Sequence, residues 1–189
     1  MSSVIIVEDE IVVYDLVKEY LQKKPLFQLE EIINFINYRL KANVNFNKNK
    51  ITLVIKALIK KKLILPGTKL VRDDILEVAK RVEIYDYITA MPGANLTEIK
   101  DYHEIGSNHV IWHLKWLEKF EFIRSTRFRN QKVYFNSNFD IKYDEVFFYL
   151  RNTKVKKIIK LLREQSSSMN ATNISDTLSI HYTTVKKYM

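Results

Sequence analysis

Apolar residues recur along the chain with a spacing that occurs twice. In the middle of the sequence the apolar positions are Val110, Leu114, Leu117, Phe122 and Ile123. The same offsets separate a second set nearer the N-terminus: Ile51, Ile55, Leu58, Leu63 and Ile64. The first three positions of each set fall on one face of a helix, and the last two fall where a strand would begin. The pattern predicts two copies of a helix followed by a β-hairpin.

A second spacing relates the middle of the chain to its C-terminus. Ile99 precedes Val110 by eleven residues, and Ile174 precedes Val185 by the same distance. Each pair frames a short helix, a turn and a second helix. A fixed spacing of this kind indicates an internal repeat. We therefore predict three copies of one unit, at residues 1–73, 74–140 and 141–189, with no hairpin in the last.

Helix-capping residues delimit the predicted helices of the central unit. Asn95, with Glu98 three residues later, predicts a capping box at the start of a helix over 96–103. Asp73 and Asp74 are predicted to cap an earlier helix that runs from about residue 75 to residue 91. The next helix of this unit, its third, is predicted over residues 107–119.

Strand-forming segments follow the third helix of the first two units. β-rich segments on both sides of Arg129-Asn130 predict a hairpin, and a shorter one is predicted around Pro66-Gly67-Thr68. Each full unit is thus three helices followed by a two-stranded hairpin. The predicted fold class is mainly α with small β-hairpins.

This order of elements is that of the winged helix-turn-helix fold, and the central segment resembles a known group of regulators. Residues 84–125 resemble the archaeal and bacterial winged helix-turn-helix transcription regulators of the ArsR and MarR type at Val110, His113-Leu114, Leu117 and Phe122-Ile123. Residues 173–189 look like the helix-turn-helix half of the same pattern. The resemblance implies tandem winged-helix units, followed by a C-terminal helix-turn-helix, in a regulator that binds double-stranded DNA.

Composition narrows the class of protein further. Three glycines and three prolines in 189 residues favour a helix-rich chain, and the absence of cysteine excludes disulfides and fits a reducing cytoplasm. The net charge of +9 favours an anionic partner. We predict no signal peptide, because the N-terminus lacks a basic region and the apolar segment VIIV is short. We predict no membrane span, because the longest apolar segment is interrupted at Lys56.

Positive charge within the central unit is concentrated in its second half. Residues 73–106 carry 3 basic and 8 acidic residues, whereas residues 107–135 carry six basic residues against Glu118 and Glu121. The basic half comprises the predicted third helix, which we call the reading helix because it would contact the DNA bases, and the hairpin. A winged helix inserts this helix into the major groove and sets the hairpin against phosphates or the minor groove.

The candidate DNA-contacting residues lie on the outer face of that helix and on the hairpin. Asn108 has the donor and acceptor that pair with an adenine edge, and lysines neutralise phosphates. The central candidates are Asn108, His109, Trp112, Lys115, Lys119, Arg124, Arg127, Arg129 and Lys132. Lys48, Asn49 and Lys56 are the candidates in the N-terminal copy, for which a solvated lysine-rich face is the alternative.

Two tryptophans on the predicted reading helix leave a second function open. Trp112 and Trp116 suit packing against thymine methyls or sugars, but exposed tryptophan is also typical of protein interfaces. The alternative function is therefore a winged-helix scaffold that binds a protein partner through Trp112 and Trp116. A homodimer is a further alternative.

The sequence contains no motif that favours catalysis. His109 and His113 have helical spacing for a shared metal, but no cysteine or third ligand accompanies them. The segment HVIWH lacks the glutamate that a zinc protease requires, and no glycine-rich phosphate loop is present. We predict no enzymatic activity, no metal and no cofactor.

Overall fold

The structure, a computed structural model, describes residues 7–24, 27–165 and 167–189. It is mainly helical, with one three-stranded antiparallel sheet. The helices are α1 (Glu8–Lys23), α2 (Leu29–Arg39), α3 (Lys48–Lys60), α4 (Arg72–Ile75), α5 (Ala79–Ala90), α6 (Leu96–His103), α7 (Ser107–Lys119), α8 (Asp144–Leu150), α9 (Thr153–Glu164), α10 (Ala171–Leu178) and α11 (Tyr182–Tyr188). A 3-10 turn at Ile141–Tyr143 precedes α8. The strands are β1 (Ala94–Asn95), β2 (Ile123–Phe128) and β3 (Gln131–Asn136).

The first three helices pack around the apolar stripe that the sequence predicts on α3. Ile51, Ile55 and Leu58 are fully buried against residues of α1 and α2. The predicted N-terminal hairpin is reduced to a single bridge between Ile64 and Val71, so that prediction was wrong in extent. Pro66 lacks the N–H that a longer ladder needs, and the Thr68 hydroxyl accepts the N–H of Leu70 instead.

The predicted helix over 75–91 is two helices. The Asp74 carboxylate accepts the Val71 N–H at 2.8 Å and so caps only the four-residue helix α4. Asp73 pairs with Lys18 at 3.0 Å and caps nothing. The chain then turns, and α5 begins at Ala79. The Arg81 guanidinium donates to the Ile75 carbonyl at 2.8 Å, which gives a hydrogen-bond donor to a carbonyl at the C-terminal end of α4.

The predicted capping box and both following helices are confirmed. Asn95 accepts the Glu98 N–H at 3.0 Å, and the Glu98 carboxylate accepts the Asn95 N–H at 2.9 Å. The hairpin is also confirmed, with Ser125 opposite Tyr134 and β1 added on the far side of β3. Because β2 follows α7 after a short turn, the hairpin is held next to the C-terminal end of α7.

The backbone repeats its geometry at the spacings seen in the sequence. Helices α3 and α7 both have 13 residues, and each is followed by a left-handed residue, Lys62 with φ of 55° and Glu121 with φ of 56°. Helices α6 and α10 both have 8 residues and end at left-handed residues, Glu104 and Ser179. A left-handed non-glycine residue is uncommon, so its recurrence at matching positions supports the predicted repeat.

Buried apolar residues form three clusters along the chain. The first extends from Val13 to Val71, the second from Leu65 to Tyr134, and the third from Ile158 to Val185. The order of these clusters follows the predicted order of units. The domain boundaries at 73/74 and 140/141 remain a prediction.

Candidate nucleic-acid interface

Helix α7 buries one face and presents the opposite face to solvent. Val110, Leu114 and Leu117 are buried in the second apolar cluster. The outward positions are exposed, as the helical spacing predicts: Asn108, His109, Trp112, Lys115 and Lys119. Among the described residues, no ion pair or hydrogen bond from another side chain occupies the ammonium of Lys115. The Lys119 ammonium lies 5.1 Å from the centroid of the Trp116 ring. The outer face therefore combines an amide with two exposed cationic groups.

The two tryptophans of α7 occupy different environments. Trp112 is 50% exposed, and its ring lies 4.9 Å from the ring of His113. Trp116 is half-buried, packs against the second cluster and stacks on Phe120 with centroids 6.2 Å apart. Trp112 therefore belongs to the outer surface, whereas Trp116 is mainly a packing residue.

A buried arginine lies beneath Trp112. Arg81 is 1% exposed, and its guanidinium carbon lies 5.2 Å from the centroid of the Trp112 ring. Burial lowers the pKa of His113, and the charge of Arg81 lowers it further. Because His113 is buried while His109 is exposed, the two imidazoles do not present one common surface.

Arg127 and Lys132 are exposed cations on the two strands of the hairpin. Arg127 is exposed, and within the described part of the chain no acidic side chain pairs with it. Lys132 is also exposed but lies 3.1 Å from the Glu118 carboxylate. Partial burial acts to lower the pKa of Lys132, but the hydrogen bonds and charges of Glu118 and Tyr134 together outweigh it, so the pKa is raised. Glu118 also accepts the Ser125 hydroxyl and thereby ties α7 to β2.

Arg124 does not belong to the exposed set, contrary to the sequence prediction. Its guanidinium makes two bonds to the Asp144 carboxylate, one at 2.7 Å, and donates to the Phe139 carbonyl at 2.8 Å. Asp144 is 4% exposed. A guanidinium held by a buried carboxylate and a carbonyl is not available to a phosphate, so Arg124 fixes β2 to the start of α8.

Arg129 is exposed at the hairpin tip but is directed toward the C-terminal helices. Its guanidinium carbon lies 5.6 Å from the centroid of the Tyr149 ring and 6.0 Å from that of Tyr188. The left-handed backbone at Arg129, with φ of 53°, turns the chain at this point. Its role in DNA contact stays a prediction.

The N-terminal candidates lie on an exposed face of α3. Lys48, Asn49 and Lys56 are all exposed. The intervening Lys50 is instead paired with Asp9 at 2.7 Å. Leu53, on the same helix, is exposed as well. This face is less uniformly cationic than the spacing of its lysines predicts.

Two residues that shape the site were absent from the sequence prediction. Arg81 stands three and seven residues before the buried Ile84 and Ile88, so its position in an apolar stripe was a usable signal. Asp144 lies twenty residues beyond Arg124, and no local pattern links the two.

Neither a metal site nor a membrane span is found in the described ranges. In residues 7–24, 27–165 and 167–189 no cluster of three or more histidine, aspartate or glutamate side chains is arranged to hold a metal ion. Over the same residues, none of the helices has both the length and the apolar character that crossing a bilayer requires.

Substitution of the two tryptophans should separate packing from surface function. Trp116→Ala is expected to lower the free energy of unfolding by about 2 kcal/mol, because it opens space beside Phe120. Trp112→Ala is expected to cost less than about 1 kcal/mol, since half of this side chain is already in water. Urea unfolding followed by circular dichroism measures both, and equal losses would contradict the assignment.

Comparison with known proteins yields one informative similarity. The chain is 31% identical over 106 residues to a protein of Methanocaldococcus jannaschii that is named an uncharacterized HTH-type transcriptional regulator. The matched segment is 56% of this chain and 26% of the relative, so the chain spans about a quarter of that protein's length. No family model matches the chain. No solved structure matches it either.

Proposed function

We propose that the protein is a DNA-binding transcription regulator of the winged helix-turn-helix type, with α6 and α7 as the helix-turn-helix and β2–β3 as the wing. The observation that carries the proposal is the outer face of α7, where Asn108, Lys115 and Lys119 are exposed together. An exposed amide near the start of a helix, followed by exposed cations on the same face, suits a helix that enters the major groove.

The similarity to an archaeal HTH-type regulator supports this function. The repeated geometry supports tandem units, because α10 has the same eight-residue length as α6 and ends at a left-handed residue as α6 does, and α11 follows it as α7 follows α6. Helix α11 carries Lys186 and Lys187 on its exposed side. The proposal therefore includes a second DNA-contacting helix-turn-helix, formed by α10 and α11.

Each element has a separate role in the proposed complex. The N-terminal half of α7 reads base edges through Asn108, and Trp112 packs against thymine methyls or sugars. Lys115, Lys119 and Arg127 neutralise phosphates, which supplies affinity without sequence information. The Glu118 contacts to Ser125 and Lys132 hold the wing in register with α7.

Titration of random duplex DNA across a salt series tests the proposal. We expect the logarithm of the association constant to fall linearly with the logarithm of the salt concentration, because binding releases condensed counterions. Selection from a random duplex pool should then enrich a motif. An undetectable interaction at 50 mM salt, or one insensitive to salt, would exclude DNA as the partner.

A protein-binding scaffold is the second candidate. Ile111 and Trp112 are adjacent, exposed apolar side chains on α7, at 47% and 50% exposure. Such a pair is also typical of the centre of a protein interface. The two functions differ in the expected effect of Trp112→Ala on duplex affinity, which falls if α7 reads DNA and is unchanged if Trp112 binds a protein. A homodimer also stays a prediction.

A further inference from the structure

We infer that a second site, apart from the outer face of α7, takes a nucleoside monophosphate or a similar small phosphate that carries a flat ring. The site lies between the tip of the β2–β3 hairpin and helices α8, α9 and α11. It consists of two adjoining chambers that share Arg151, Asn152 and Tyr188 in their walls.

The first chamber is lined by aromatic side chains. Its volume is about 430 Å³, within the range of small-molecule sites. Phe128 of the hairpin stacks on Phe148 of α8 with centroids 5.0 Å apart, and Tyr149 and Tyr188 form a further wall. Flat walls of this kind bind a flat ring by stacking.

The second chamber is polar and cationic. Its volume is about 470 Å³, and its lining includes Arg151, Lys154 and Lys187 together with Asn152 and Thr184. None of its lining residues is acidic. Ammonium, guanidinium, amide and hydroxyl donors that line one open groove are suited to phosphate oxygens.

The two chambers together carry an excess of positive charge. Arg151 is already paired with Glu98 at 2.9 Å. Within the described ranges, Arg129, Lys154 and Lys187 have no carboxylate at ion-pair distance. A phosphate monoester, with a charge of about −1.5 to −2 at neutral pH, would offset most of this excess.

The aromatic chamber distinguishes this ligand from the phosphates of a DNA duplex. Bases in a duplex are stacked on one another and do not offer a free ring face to Phe128 or Tyr149. A small ligand can place its ring in the first chamber and its phosphate in the second at once. The geometry therefore favours a free nucleotide over the backbone of a bound duplex.

Isothermal titration of the full chain with AMP, adenosine and inorganic phosphate tests the inference without DNA. We expect saturable AMP binding with a Kd below about 1 mM, at least tenfold tighter than adenosine or phosphate, because only AMP places a ring in the first chamber and a phosphate in the second. The double variant Arg129→Ala/Lys187→Ala should weaken AMP binding by about tenfold or more.

The matched control is Arg127→Ala/Lys186→Ala. It removes the same two charges from neighbouring positions outside both chambers, and its AMP affinity should stay within about twofold of the parent. Circular dichroism verifies that both variants are folded. No saturable AMP binding, AMP affinity no better than that of inorganic phosphate, or equal losses in the two variants would each overturn the inference. Because no DNA is present, these outcomes are separate from those that test the regulator function.

Discussion

Asp144→Ala is expected to lower the free energy of unfolding by about 3 kcal/mol. The Asp144 carboxylate is buried and accepts two bonds from the half-buried Arg124 guanidinium. Removing one partner of such a pair leaves the other charge desolvated and uncompensated, which costs more than the pair itself contributes. Urea unfolding at fixed pH measures the loss.

Glu145→Ala is the matched control for that substitution. Glu145 is the next residue in the first turn of α8 but is exposed, so its loss should cost less than about 0.5 kcal/mol through the helix dipole alone. The double variant Arg124→Ala/Asp144→Ala should be more stable than the sum of the two single losses predicts. Each single variant already loses the Arg124–Asp144 interaction, so the sum includes that loss twice. If Asp144→Ala unfolds like the parent, Arg124 is free in solution and returns to the DNA-contacting set.

The parts of the fold that were predicted correctly depend on local signals. The bounds of α6 follow from the Asn95 and Glu98 side chains, which cap the helix across three residues. The β2–β3 turn follows from strand-forming segments on both sides of Arg129-Asn130. In each case the residues that determine the structure are close in sequence, and their interactions form independently of the rest of the chain.

The sequence could not predict the environment of a side chain where a distant partner decides it. Arg124 and Arg127 look equivalent in the sequence, three residues apart on one strand, yet Asp144 captures the first and leaves the second exposed. Arg129 likewise has aromatic partners in α8 and α11. A count of charges along the sequence cannot separate these cases, because it contains no information about which carboxylates or rings the fold brings near.

That distinction changes the expected behaviour of the DNA-contacting set. The triple variant Lys115→Ala/Lys119→Ala/Arg127→Ala removes the three cations that the structure leaves exposed on α7 and β2. If each contacts one phosphate, the slope of the logarithm of the association constant against the logarithm of the salt concentration should flatten by up to roughly 2.7. We call this quantity the salt slope. Between 50 and 200 mM salt the variant should then lose about 40-fold less affinity than the parent does. Fluorescence anisotropy with one labelled duplex gives both slopes.

The control for the triple variant must remove the same charge elsewhere, because any loss of positive charge weakens attraction to DNA over long range. Lys41→Ala/Lys69→Ala/Lys157→Ala does so at three exposed positions outside α7 and the hairpin. It should lower affinity moderately while its slope stays within about 1 of the parent, since no direct phosphate contact is lost. Equal flattening in both variants would mean that net charge, and not the α7 face, determines binding. If the Lys115→Ala/Lys119→Ala/Arg127→Ala variant keeps the salt slope of the parent, the interface lies on α3 or α11 instead.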